Sequence, residues 1–245
     1  MKLNGKQYDK FILNGKTYEK FYLNNKIYQS LDPGLILDLP LQNNFTDYSA
    51  SGISMVAGGT SNQPTFALSG RKAGEYCAVF NGSQSIKTTT NLPVNSDKVT
   101  IAFWLKTTQT GASIITELSV YNSGNNAFMV ILNNSSNKIT IANYKPNFNT
   151  TDSIINTNTG VWMHIVMTID RSLAASVENK IYINGVASYT YIGSSDNAGN
   201  FVNNILFIGQ RAGSSLGFNG SLTKLKIYNY PFTPSEVSTL YNSEL

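Results

Sequence analysis

Cysteine, histidine and charge are all scarce in this 245-residue chain. Cys77 is the single cysteine, which excludes an internal disulfide. It lies in the alternating run Tyr76 to Phe80, where a buried thiol is the expectation. His164 is the single histidine, so no site needing two can be built. It shares strand parity with Trp162, Val166 and Thr168 and reads as a half-buried, hydrogen-bonded structural residue. Charged residues make up 13% of the chain, about half the usual quarter. No apolar run is long enough to span a membrane, and no Gly-rich loop stands between a strand and a helix to cradle phosphates. Membrane insertion and nucleotide binding therefore leave the reading. The chain opens on a polar repeat rather than the apolar core of a secretory signal peptide.

Asn, Ser, Thr and Gly take the place of charge, a turn-rich composition typical of all-β proteins. The length suits one substantial sandwich with a small appendage. The appendage is written in the first thirty residues, one ten-residue phrase given three times: MKLNGKQYDK, FILNGKTYEK and FYLNNKIYQS. Asn4-Gly5 and Asn14-Gly15 supply the positive φ angles that a type I′ hairpin turn needs, and Asn24-Asn25 is a weaker version. Two-residue turns fix register. Around the second turn Leu13 should face Lys16, Phe11 Tyr18, Lys10 Glu19, Asp9 Lys20 and Tyr8 Phe21. Around the third, Tyr22 should face Ile27, Phe21 Tyr28 and Tyr18 Leu31. Cross-strand aromatic and opposite-charge pairs of this kind contribute roughly 0.2–1 kcal/mol each.

Both faces of such a meander carry large apolar groups, and so few strands cannot cover them. Tyr8, Phe11, Tyr18, Phe21, Tyr22 and Tyr28 are the candidate docking or oligomerisation residues. Of eighteen basic and fourteen acidic residues, six and two fall in 1–31, so the net +4 of the chain resides there. A basic arm is one footprint of nucleic-acid contact. These lysines instead alternate with aromatics and face carboxylates, as solvated strand edges that resist aggregation do. No nucleic-acid partner is expected.

After the turn-like Leu31-Asp32-Pro33-Gly34 come strand signatures separated by polar turns. Val99 to Lys106 and Trp162 to Ile169 alternate cleanly, and Lys180 to Ser188 is a hairpin around Asn184-Gly185. Leu222 to Tyr228 alternates again, and Thr233-Pro234-Ser235-Glu236 is a capping box with Pro at N1, opening a short helix. The expected fold is all-β: a two-sheet antiparallel jelly-roll sandwich over 35–245 with a short C-terminal helix, preceded by the 1–31 meander and a 32–34 linker.

The order Phe80-Asn81-Gly82-Ser83, Ile101 to Thr107, Trp162-Met163-His164, Ile181 to Gly185, Phe218 to Leu222 and Ile227-Tyr228-Asn229 resembles the concanavalin A-like, laminin-G-type jelly rolls. Leu39-Pro40-Leu41, Asp47 to Gly52 and the closing Pro231 to Val237 resemble the same family. The resemblance implies lectins, glycosidases or adhesive domains. The family's hydrolases place their carboxylates as Glu-x-Asp-x-(x)-Glu on one strand; Glu75, Glu117, Glu178, Glu236 and Glu244 are all isolated from Asp at that spacing, and no enzyme is expected. The family's calcium pattern would use the Asp47 turn and acids that are here Thr223 and Lys224. An ammonium there opposes a hard dication, so Asp47 is a weak candidate and no cofactor is expected.

Sugars present apolar faces and many hydroxyls, which aromatics beside amides and hydroxyls recognise. Tyr144 and Phe148 in the loop Asn143 to Asn149, Tyr189 and Tyr191 in the loop Ser188 to Tyr191, and Arg211 near Asn219 are the candidate ligand contacts. The repeat in turn resembles the short tandem Leu-Asn-Gly-Lys or Tyr-Leu-Gly-Asp phrases that open phage structural and adhesion proteins. The combined expectation is a bacteriophage virion surface protein: a head-fibre, capsid-decoration or tail-associated subunit made in the host cytoplasm. Its partners would be other virion proteins, copies of itself (a trimer fits) and glycans. The alternatives are a bacterial cell-surface carbohydrate-binding protein and, third, a glycoside hydrolase.

Overall fold

The computed structural model describes the backbone outside residues 1, 4–5, 14–15, 24–25, 31, 33, 60–61, 119–126, 133–136, 145–147 and 192–196. The side chains of 1–31 and 148 also fall outside the described residues, and with them the docking candidates Tyr8, Phe11, Tyr18, Phe21, Tyr22 and Tyr28.

The three repeats form a four-stranded antiparallel sheet in chain order: β1 (Lys2–Leu3), β2 (Lys6–Leu13), β3 (Lys16–Leu23) and β4 (Lys26–Ser30). Around the second turn the expected pairs all occur, from Leu13 with Lys16 out to Tyr8 with Phe21. Around the third, Tyr22 pairs with Ile27, but Phe21 then pairs with Gln29 and Lys20 with Ser30. This corrects the expected Phe21–Tyr28 and Tyr18–Leu31 pairs. A β-bulge inserts one extra residue into β4, and a one-residue shift moves every following side chain to the other face.

The body is two antiparallel eight-stranded sheets. The first runs β17 (Val186–Ala187), β16 (Asn179–Ile183), β15 (Met163–Asp170), β10 (Lys98–Lys106), β20 (Asn219–Tyr228), β8 (Tyr76–Asn81), β7 (Thr65–Leu68), with β5 (Leu35–Leu39) also on β20. The second runs β18 (Thr190–Tyr191), β14 (Phe148–Asp152), β13 (Ile139–Tyr144), β12 (Ala127–Leu132), β11 (Ser113–Leu118), β19 (Leu206–Ile208), β9 (Ile86–Thr88), β6 (Met55–Ala57). Strands that neighbour in space but not in sequence, such as β10 between β15 and β20, give the jelly-roll connectivity the sequence predicts.

Alternation decides what each strand buries. On β10 Val99, Ile101, Phe103 and Leu105 enter the core between the sheets, and on β15 Ile165, Met167 and Ile169 do the same. Val130, Leu132, Ile139 and Ile141 meet them from the second sheet. Each such fully buried side chain stabilises the fold by about 1.5–3 kcal/mol. Cys77 is buried among these strands, as expected, and burial pushes its thiol pKa up. The Asn184-Gly185 turn has positive φ at both residues, as its sequence demands.

Arg171, directly after β15, ties the two sheets at one edge. Its Nε and Nη2 donate to Asn143 Oδ1 at 2.8 and 2.6 Å, Nη1 donates to the Gly199 carbonyl, and its guanidinium lies 3.6 Å from the centre of the Phe201 ring. Asn143 and Asn149 in turn donate to Glu178 at the end of the short helix α1 (Ala175–Glu178). Helix α2 (Pro234–Glu244) opens with the predicted capping box, Thr233 and Glu236 exchanging bonds, and Pro234 at its start. It seats Val237, Phe232 and Leu240 on Ala102, Val166 and Tyr182 of the first sheet. Among the described residues no helix is long and apolar enough to cross a membrane.

Candidate functional site

The outward face of the second sheet can be read from its register. Because Val130 and Ile141 point into the core, their neighbours Met129 and Ala142 point out. One rung runs Lys87, Phe207, Glu117, Met129, Ala142, Thr150 across β9, β19, β11, β12, β13 and β14. The next carries Ile114, Ile131, Thr140 and Asp152. Ile114, Met129 and Ala142 form a small apolar floor on which Ile131 and Leu216 pack. Tyr144, half-buried, stands on the same side at the end of β13, opposite Phe148. Arg171 Nη2 fixes its position by donating to its carbonyl at 3.2 Å.

A loop, 209–217, folds over this floor. Its ends are held by backbone bonds: Phe218 N–H donates to the Gly209 carbonyl and Ile114 N–H to the Leu216 carbonyl, both at 2.8 Å. Arg211 and Ser215 bond each other across the loop. Ala212 and Leu216 take left-handed conformations that non-glycine residues adopt at a cost. Gly213 lies so close to the Gly58–Gly59 backbone that a Cβ would meet it at 2.6 Å. The tip is anchored by a side chain: Ala212 N–H donates to Glu117 Oε2 at 3.2 Å, and Arg211 Nε stands 3.5 Å from Glu117 Oε1. Arg211 also reaches Met129 Sδ at 3.7 Å.

Glu117 is 1% exposed. Burial raises its pKa to about 7, outweighing the Arg211 guanidinium and the Ala212 amide. The face therefore offers an aromatic ring, an apolar floor, the hydroxyls of Thr150 and Thr140, the carboxylate of Asp152, and a guanidinium held by a buried acid. That is the donor, acceptor and apolar inventory a saccharide matches.

Of the sequence candidates, Tyr144, Phe148 and Arg211 fall on this side of the second sheet. Tyr191 pairs with Thr151, whose parity is inward, so it belongs to the other face. Tyr189 packs on the core, 6.5 Å from the Tyr182 ring. The stretches taken as loops are the ends of paired strands β13, β14 and β18. Arg211 meets Glu117, while Asn219 engages Gln109 and Thr107. The sequence signal for Glu117 was present but unused: a single acid inside the apolar alternation Ile114 to Leu118.

Asp47 is consumed by its own turn. Oδ1 accepts from Asp38 N–H and Ser49 N–H, and Oδ2 from Ser49 Oγ and Ile53 N–H, all at 2.8–2.9 Å. Lys224 lies 3.8 Å from Glu75, and Thr223 Oγ1 donates to the Pro40 carbonyl. Among the described residues no group of three or more metal-ligating side chains occurs.

His164 lies on the opposite side of the molecule under α2 and corrects the expectation of a half-buried, hydrogen-bonded residue. It is 0% exposed, its ring nitrogens have no hydrogen-bond partner, and Trp104 and Tyr241 pack on it at 5.1 and 5.6 Å. The strand pattern could not show that a helix covers this face. Glu244 is the hub there: it accepts from Trp104 Nε1 at 2.9 Å and Lys226 Nζ at 2.7 Å, while Arg71 donates to its carbonyl. Burial drives His164 down to about 4, so its 3.8 Å approach to Glu244 is not an ion pair at neutral pH.

Two eight-stranded sheets with an adorned outward face define a lectin-type jelly roll. The chain belongs to the concanavalin A-like lectin/glucanases superfamily, whose model matches residues 80–238. Among curated proteins none matches. Among solved structures, domain 4 of the GH43 extracellular arabinanase AbnA from Geobacillus stearothermophilus, in complex with arabinotriose, is similar. The identity is 20%, the TM-score 0.65, and 84% of this chain and 98% of that domain are covered. The binding domain of Botulinum neurotoxin DC is similar in complex with rat synaptotagmin II (14% identity, TM-score 0.64) and with SialylT (12%, 0.63). These cover 87% and 86% of this chain, which spans 52% of the toxin domain. At such identities the likeness carries the fold alone.

Proposed function

We propose that the body of this protein is a non-enzymatic glycan-binding domain and that the 1–31 sheet attaches it to a bacteriophage particle. The observation that carries the glycan reading is the outward face of the second sheet, where Tyr144, Thr150, Asp152 and Arg211 surround an apolar floor. Two similar folds held in saccharide complexes support it. The acid on this face, Glu117, is committed to Arg211 and Ala212, which supports binding rather than hydrolysis. Attachment to a virion rests on the repeat, its confined +4 charge and its resemblance to phage structural phrases. Many copies on one particle compensate for weak single sites through avidity.

A glycan array probed with the isolated 35–245 body tests the first part. Binding that falls when Tyr144→Ala or Arg211→Ala is introduced is the expected result, and no binding to any saccharide overturns it. Deleting 1–31 tests the second: the body should stay folded and vanish from purified virions, whereas normal incorporation would sink the attachment role.

A further inference from the structure

We propose that Glu117 is the positioning residue of this face: its carboxylate holds Arg211 and the tip of the 209–217 loop, and sugar binding depends on its ionisation. The inference rests on the glycan reading above and adds what controls the site.

The geometry separates two kinds of anchor. Both ends of the loop hang on backbone bonds that no change of pH alters. Its tip, at Ala212 and Arg211, hangs on a buried carboxylate. Ala212 sits at φ 49 and Leu216 at φ 48, so the tip is held in a conformation it would relax from if released. An ionised carboxylate accepts from a guanidinium and an amide through charge-assisted bonds, roughly twice as strong as those to a neutral acid. Once protonated, Glu117 loses the charge that draws Arg211 inward. The guanidinium, 21% exposed, is then no longer pre-set for sugar hydroxyls.

The surroundings make the acid sensitive. Among the described residues Arg211 is the charged group facing it from the loop. β12 offers Met129 and β19 offers Phe207, beyond which Lys87 on β9 stands 6.0 Å from the Phe207 ring centre. One guanidinium against such burial leaves the carboxyl titrating near 7.

Two readouts on the full chain test this. In ¹⁵N-labelled protein, the Ala212 amide resonance should move sigmoidally with a midpoint near pH 7. It should stay flat in Glu117→Gln. A glycan array of neutral and acidic oligosaccharides should bind wild type about fivefold better near pH 8 than near pH 6, and Glu117→Gln equally at both. Array binding that ignores both pH and the substitution overturns the role of Glu117 and leaves the glycan reading intact. No array signal from either protein overturns the glycan reading and the role together.

Discussion

Two buried glutamates on opposite outer faces of the sandwich meet opposite fates. Glu244, under α2, is surrounded by Lys226, Lys224, His164 and the Trp104 N–H. Burial alone would raise its pKa, but Lys226 and its neighbours overturn that and hold it below the usual value. Glu117, under the 209–217 loop, has one guanidinium and one amide, and burial wins. The first cluster is a clasp sealed by a helix. The second is an acid near its titration point beneath a short loop. The number of donors around a buried carboxylate, rather than the depth of burial, separates fixed structure from a responsive site.

The strongest way to break this contrast is Glu244→Ala. It strands Lys226, buried beside Asp38 at 3.9 Å, and should cost about 3–5 kcal/mol in denaturant unfolding. Glu117→Gln should do the reverse. A carboxyl raised from 4.5 to about 7 takes up protons on folding, so wild-type stability falls as pH rises across that window. The glutamine variant should lack that slope and be more stable than wild type above pH 7 by ~1–3 kcal/mol in thermal unfolding. His164 has the opposite sign. Lowered from 6.5 to about 4, it stays neutral when folded while the unfolded chain gains a proton, so its contribution is lost as pH falls through that range. His164→Gln should flatten the acid limb by ~1–3 kcal/mol, read from unfolding midpoints between those pH values. The smallest effect tests the helix over the clasp alone: Thr233→Ala removes the cap and should cost about 1 kcal/mol in chemical denaturation, with the Glu117 titration unmoved.

The contrast also marks what a sequence can disclose. Alternation on Val99 to Lys106 and Trp162 to Ile169, the Asn184-Gly185 turn and the Thr233 capping box are local signals, and local physics determines them. The second hairpin of the repeat was legible for the same reason, its register following from a two-residue turn. Asn143 to Asn149 was misread as a loop because its strand character comes from pairing with distant partners. The Glu117–Arg211 pair joins residues almost a hundred positions apart, which no spacing rule reveals. His164 was misjudged because parity shows which side of a strand a residue takes, and not what lies over it.

The bulge in β4 bears on how this protein could have grown. Ten-residue duplication produces identical words, and identical words with identical turns would extend a ribbon indefinitely. By inserting Tyr28 without a partner, the third copy puts Gln29 and Ser30 out of phase with the copies before it. A fourth unit added there would present its aromatic residues to the wrong side of the sheet. The repeat is therefore not a ruler whose length can drift by slippage. Its last copy has diverged into a terminator, and selection on copy number would act through that one inserted residue.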